Sequence, residues 1–387
     1  MKILQVHNRY KKRGGEETVV DEEKRVLEQQ GHTVIQYLKD SSVIDNYSKV
    51  DLVRLILSQR RSQKTEREFK DLIERERPDI CHVHNVYPLI TPAIYGLCQA
   101  HGIPVVQTLH NFKLICTNGL LFRDGQTCEE CLNGSLYHSI KHKCYRDSYL
   151  ATASQVDTIQ YHRNKGTWND KIDKYICLTA FQKNKLVAGG LIEDKISIKP
   201  NFLQRGHLHD VVNGDYFLFV GRLDIGKGLN DLLQLFEENR KSKFVLIGES
   251  DQPNVFSEYK NVEYLGKQGR GEVMRYLSGC RAVLFPSKLY EGMPMVIIEA
   301  FSMKKPVIAR DLGAMSSMID HRSTGLKYEN VTGLIEAVNQ LESDIELSLK
   351  MGANAFQEYE NLYTESSGYE NLMNIYSEII TARLNGV

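Results

Sequence analysis

The chain has 387 residues, 42% hydrophobic and 25% charged, so it is long enough for two folded cores and has the composition of a globular protein. Its 49 basic and 49 acidic residues cancel, which gives no support to bulk nucleic-acid binding, because that normally requires a basic excess. No run of about eighteen apolar residues is present to span a bilayer. The apolar stretch in MKILQVHNRYKK is too short for a signal peptide and reads as a first strand. A cytoplasmic protein is expected, with its eight cysteines as reduced thiols or metal ligands.

Strands are expected at 2–6, 33–37, 80–83 and 105–109, the last three each preceded by a turn signal (GH, RPD, GIP), with helical patterns at 16–30 and 65–76. A second series of strands is expected at 216–220, 244–247, 262–265, 282–285 and 306–309. Strands alternating with helices indicate parallel, doubly wound sheets, so the fold class is α/β with two Rossmann-like domains facing a central cleft. The boundary is placed around 200–213, where ISIKPN runs into QRGHLHDVVNGD. Neither half carries GxGxxG after its first strand, which weakens a dehydrogenase assignment.

The most informative ten residues are EGMPMVIIEA, 291–300. Proline is favoured at the first position of a helix, so Glu291 should lie in the preceding loop and Glu299 about two turns inside. The N–H groups near Gly292 and Met293, at the positive end of the helix dipole, offer an anion site between the two acids. A solvated helix-start acid is the alternative for either glutamate alone. The flanking apolar runs AVLFP and KPVIA make the unit strand, loop, helix, strand, and ligands of parallel sheets bind beyond the carboxyl ends of the strands.

Other constellations lie at comparable places. In GRLDIGKG, 221–228, Arg222 and Lys227 flank a glycine-containing turn and can clamp a departing diphosphate; two surface cations are the alternative. In KKRGGEETVV, 11–20, Gly14 and Gly15 precede a helix whose first turn holds Glu16 and Glu17, which suits close backbone approach to a phosphate or sugar, or a plain tight turn. TLHN places His110 at the carboxyl end of its strand. Gly248 and Glu249 after FVLIG, and 264–266, are lesser donor-side candidates; Asn201 reads as structural.

Cys116, Cys128, Cys131 and Cys144 cluster within 116–144, a spacing that fits a tetrahedral structural zinc as well as free buried thiols. His138, Lys141, His142, Lys143 and Arg146 make the same insert basic, a seat for an acceptor phosphate. VRLILSQRRSQK, 53–64, joins apolar residues to Arg60, Arg61 and Lys64; it suits an ordinary amphipathic helix or a peripheral contact with an anionic membrane.

On these motifs nearly the whole chain resembles the retaining glycosyltransferases of family 4, which have the GT-B fold. The resemblance implies transfer of a sugar from a nucleotide diphosphate sugar to the hydroxyl of a glycan or lipid-linked glycan, with no cofactor required for catalysis. It implies His110, Arg222, Lys227 and Glu291 as catalytic residues. Gly14, Gly15, Gly248, Glu249, Gly292, Met293 and Glu299 would bind the donor, with Glu299 on its ribose. The family usually has aspartate after the histidine, where this chain has Asn111. The last helix, 366–384, is expected to cross back, giving domains 1–203 with 366–387 and 204–365. Synthesis of cell-surface polysaccharide at the inner face of the membrane follows as the expected setting. A sugar-nucleotide epimerase of the same fold, or an inactive sugar-nucleotide-binding protein, is the alternative.

Overall fold

The computed structural model describes residues 1–11, 14–204 and 214–384, so most of the expected boundary at 200–213 lies outside the described residues. The chain divides into two compact units: Met1–Leu121 with Glu129–Pro200 and the stretch from Gly368, and Phe122–Cys128 with Asn201–Ser367.

The first unit holds strands β1 (Lys2–Arg9), β2 (Thr33–Asp40), β3 (Ile80–Asn85) and β4 (Val105–Leu109). The short antiparallel hairpin β5 (Phe122–Arg123) and β6 (Gln126–Thr127), next in sequence, is grouped with the second unit, and the first unit also holds β7 (Lys174–Cys177) and β8 (Ile196–Ile198). The sheet is parallel, in the order β2-β1-β3-β4-β7-β8. Every residue of β3 and β4 is buried, as a strand covered on both faces requires. β1 runs three residues past its expected end, and the polar side chain of Asn8 there finds partners inside the unit. Asn8 donates to Ser41 Oγ at 2.7 Å and accepts from the Leu89 N–H at 3.0 Å. Helix Glu365–Leu384 packs on this sheet, bringing Leu372, Ile375, Tyr376 and Ile379 at three- and four-residue spacing onto Ile3, Leu27, Ile80, Val106 and Ile176.

The second unit holds β9 (Tyr216–Val220), β10 (Lys243–Ile247), β11 (Val262–Tyr264), β12 (Ala282–Phe285), β13 (Val307–Arg310) and β14 (Gly325–Tyr328). They form a parallel sheet in the order β11-β10-β9-β12-β13-β14. This order reverses direction between β9 and β12, and such a switch point opens a crevice beyond the strand ends where ligands bind. In the first unit the reversal falls between β1 and β3.

Leu372 is almost fully buried where the last helix meets the first sheet. Leu372→Ala is expected to cost about 2–5 kcal/mol, read as a lowered denaturant midpoint; an unchanged midpoint would show that this helix is not part of the first core.

Candidate active site

At the switch point of the second sheet, the loop after β9 and the loop after β12 are sewn together. Asp224 accepts from the Lys227 N–H at 2.9 Å, fixing a single 3-10 turn. The Lys288 N–H then donates to the Gly226 carbonyl at 2.8 Å. Gly228 has φ +84°, and a Cβ there would lie 2.1 Å from the Pro286 carbonyl oxygen, so only glycine lets the two loops meet. Asp231 fastens the same region from the following helix by pairing with Lys288 at 2.8 Å and with Arg310.

These contacts bring Lys227 and Glu291 together. The ammonium lies 2.7 Å from Glu291 Oε1, and the same oxygen accepts from Ser287 Oγ at 2.6 Å. With side chains 20% and 16% exposed, the pair is shielded from bulk water yet reachable by a ligand. Arg222, from the same loop, is 64% exposed and faces Asp224 at 3.4 Å. Lys227 is thus built into the site, whereas Arg222 stands at its edge.

Helix Met295–Ser302 begins one residue later than expected, with Pro294 as the residue before it and no side chain capping its N–H groups. Glu299 is its fifth residue, little more than one turn in, a correction to the two turns expected from the sequence. Glu299 is partly buried, and desolvation raises its carboxyl pKa while Arg270 opposes the rise. Met293 is buried with Sδ accepting from the Asn201 N–H at 3.2 Å, so its side chain serves the core. Gly292 lies beside it in the loop.

Gly248 lets two backbones approach: a Cβ there would sit 1.7 Å from the Gly221 carbonyl oxygen. Glu249 pairs with Lys267 at 3.0 Å. Tyr264 donates from its hydroxyl to the Gly248 carbonyl at 3.0 Å.

In the first unit Gly14 precedes helix Gly15–Gln29 in extended conformation, which any residue adopts, and a Cβ there would meet only Glu17 Oε2 at 3.7 Å. Glu17 reaches back to accept from the N–H groups of Gly14 at 2.8 Å and Tyr10 at 2.9 Å. Burial alone would raise the Glu17 carboxyl, but neighbouring His7 and these N–H donors hold it at about 2. Its neighbour Glu16 goes the other way, pushed well above the usual carboxylate range by burial and then by the Glu17 charge.

His110 follows β4 as expected, half-buried, and burial lowers its pKa to about 3, so it is neutral at pH 7. Its Nε2 lies 3.0 Å from His84 Nδ1. Asn111 shapes the turn after it, accepting from the Lys113 N–H at 3.0 Å. Behind His110 is a cluster that the sequence reading missed: His7, Glu23, His82, His84 and Lys199, all buried. Its signal was the alternation in HVHN, which places His82 and His84 on one face of a strand buried on both sides.

Among the described residues, no three metal-ligating side chains that include Cys116, Cys131 or Cys144 of the first unit converge within 4.8 Å. Cys116 instead turns its thiol to Asn118 Oδ1 at 3.0 Å. Cys128 belongs to the segment grouped with the second unit. In the basic insert, Lys143 and Arg146 lie over the rings of Tyr149 and Tyr145, and His142 faces Glu130 at 3.4 Å. Arg60 and Arg61 are paired with Asp157 and Glu66.

Gly228→Ala is expected to cost more than about 1 kcal/mol, read by chemical denaturation; wild-type stability would mean the two loops can part without strain. The Glu17 pKa is depressed, so its stabilising effect is complete above about pH 4.5 and is lost as pH falls towards 2. The advantage of wild type over Glu17→Gln should therefore reach up to about 3 kcal/mol near neutrality and shrink across that window. Glu16 is raised, so Glu16→Gln should gain on wild type as pH rises above about 4.5. Parallel pH profiles of unfolding for the two variants would refute this assignment.

The family model "Glycosyltransferase Family 4" matches residues 13–204 and "Glycosyl transferases group 1" matches residues 205–358. The O-antigen chain mannosyltransferase C of Escherichia coli is 25% identical over 186 residues, 46% of this chain and 50% of that protein, so the chain spans half the length of this relative. An uncharacterised glycosyltransferase of Methanocaldococcus jannaschii is 24% identical over 330 residues, 81% and 87% of the two chains. Two solved structures share the architecture. The lipopolysaccharide outer core galactosyltransferase WaaB in its apo form has TM-score 0.68 and 17% identity, with 98% and 100% of the chains covered. Anabaena HepE in complex with UDP has TM-score 0.67 and 15% identity, with the same coverage. Two parallel α/β units with these matches identify the chain as a member of the family 4 glycosyltransferases with the GT-B fold.

Proposed function

We propose that the chain transfers a glycosyl group from a nucleotide diphosphate sugar to an acceptor hydroxyl with retention of the anomeric configuration, in the synthesis of a cell-surface polysaccharide or lipid-linked glycan. The observation that carries this reading is the shielded Lys227–Glu291 pair at the switch point of the second sheet. Alone, the two groups neutralise each other. A donor supplies the diphosphate that Lys227 can take and the sugar hydroxyls that Glu291 can accept from, so binding exchanges one set of charge-assisted hydrogen bonds for another.

Arg222 and the uncapped start of helix Met295–Ser302 add positive potential for the leaving diphosphate. These charges do the electrostatic work that a divalent cation would otherwise supply. Glu299 is assigned to the ribose, Gly14, Gly15, Gly248, Glu249, Gly292 and Met293 to the walls of the donor site, and His110 to a hydroxyl of the transferred sugar. The leaving diphosphate takes the proton of the acceptor hydroxyl, so no enzymic nucleophile is assigned. The relatives support this setting: one is an O-antigen mannosyltransferase and the HepE structures hold UDP or UDP-glucose. A peripheral membrane contact is assigned to the segment 53–64, whose first half ends helix Lys49–Leu57 and shows Val53 and Leu57 outward.

Lys227→Ala and Glu291→Ala are each expected to lower turnover at least about a hundredfold with the fold intact. A panel of nucleotide sugars screened by thermal shift identifies the donor for the assay. Near-wild-type turnover in either variant would remove that residue from the mechanism.

A further inference from the structure

Glu23, on helix Gly15–Gln29, is sealed from solvent together with Lys199, whose ammonium lies 2.7 Å from its Oε1. Its other oxygen, Oε2, faces His84 Nε2 at 3.4 Å and His82 Nδ1 at 3.7 Å. The three side chains Glu23, His82 and His84 have the spacing of a metal site, but their chemistry is wrong for one. The Lys199 ammonium already supplies the positive charge. Both nitrogens of His82 are taken, Nδ1 by the Tyr376 hydroxyl at 2.7 Å and Nε2 by Thr108 Oγ1 at 2.8 Å. What remains is a line from Glu23 through His84 to His110, whose ring lies end to end with that of His84, centroids 5.3 Å apart and planes within 19°.

A neutral imidazole carries one N–H, and the nitrogen that holds it decides what the other can do. Burial and the neighbouring histidines keep His84 neutral. A proton on His84 Nδ1 would leave a lone pair on Nε2 buried 3.4 Å from a carboxylate oxygen, with no hydrogen bond from either atom to offset the repulsion. A proton on Nε2 faces that oxygen instead. Nδ1 of His84 is then an acceptor, and the 3.0 Å contact to His110 Nε2 is a hydrogen bond only if His110 holds its own proton there.

We infer that Glu23 is a positioning residue that, through His84, fixes His110 with its proton on Nε2 and its Nδ1 as a pure acceptor for a hydroxyl of the transferred sugar. The function of that acceptor rests on the role proposed for His110; the order of protons does not. Lys199 keeps Glu23 ionised, so the selection starts from a fixed charge. His7 stands edge-on to His84 at 6.2 Å, which leaves the bond to His110 unobstructed.

The test is long-range proton–nitrogen NMR of the protein labelled with 15N-histidine, unliganded, at pH 7. The inference expects N–H on Nε2 in both His84 and His110, with the His110 N–H protected from exchange. His84→Phe should abolish that protection and lower turnover roughly tenfold with a smaller change in donor KM. His84→Asn, which keeps an acceptor where Nδ1 was, should restore most of both. A proton on Nδ1 of either ring, or a phenylalanine variant that behaves as wild type in both measurements, overturns the inference. The nitrogen shifts judge the proton order separately from the part His110 plays in turnover, which His110→Ala judges.

Discussion

Parallel strands covered on both faces by helices leave side chains one kind of place to meet a ligand, the carboxyl ends of the strands. Both sheets of this chain obey that constraint. In the second, the order turns back between β9 and β12, and the loops that leave those two strands carry Lys227 and Glu291. In the first, it turns back between β1 and β3, and the polar residues His7, Asn8, His84 and Asn85 lie at the ends of those strands. The chemistry gathers where the topology leaves room for it.

The two constellations differ in their relation to water, and that difference separates binding from support. Lys227 and Glu291 keep some exposure, so a charged ligand can replace each as the other's partner without uncovering a buried charge. Glu23 and Lys199 keep almost none. Removing one of them would strand its partner in a medium of low dielectric, a loss of several kcal/mol in typical buried pairs. Such a pair is poorly suited to exchanging partners in turnover and well suited to holding a fixed polarity beside something that does. Histidines packed around it stay neutral because burial disfavours their charged forms, lowering His82 to about 4 and His110 to about 3.

Much of this was legible in the sequence, because parallel strands buried on both sides read as short apolar runs. VVQTL, YFLFV and AVLF fall where their composition places them. The acids of EGMPMVIIEA were legible for a second reason, a proline that marks a helix start, although the helix is short and Glu299 sits nearer its beginning than the spacing implied. Direct pairing of Lys227 with Glu291 was not legible, since it depends on the close approach that Gly228 permits between loops about sixty residues apart. Glu23 was hidden among the acids of an amphipathic helix, and the short strands KYIC and GLKY gave too little periodicity to mark. For the cysteines of 116–144 the spacing left a ligand set and buried thiols both open, and the contact of Cys116 with the Asn118 amide depends on a local turn that spacing does not encode.

The claim on which the functional account stands is that the pair at the second switch point is where an activated sugar is held. A crystal structure of the protein soaked with the nucleotide sugar selected by thermal shift tests it most directly. The account predicts a diphosphate oxygen within hydrogen-bond distance of Lys227 Nζ and a sugar hydroxyl donating to Glu291. A donor bound elsewhere, with the Lys227–Glu291 contact undisturbed, would contradict it.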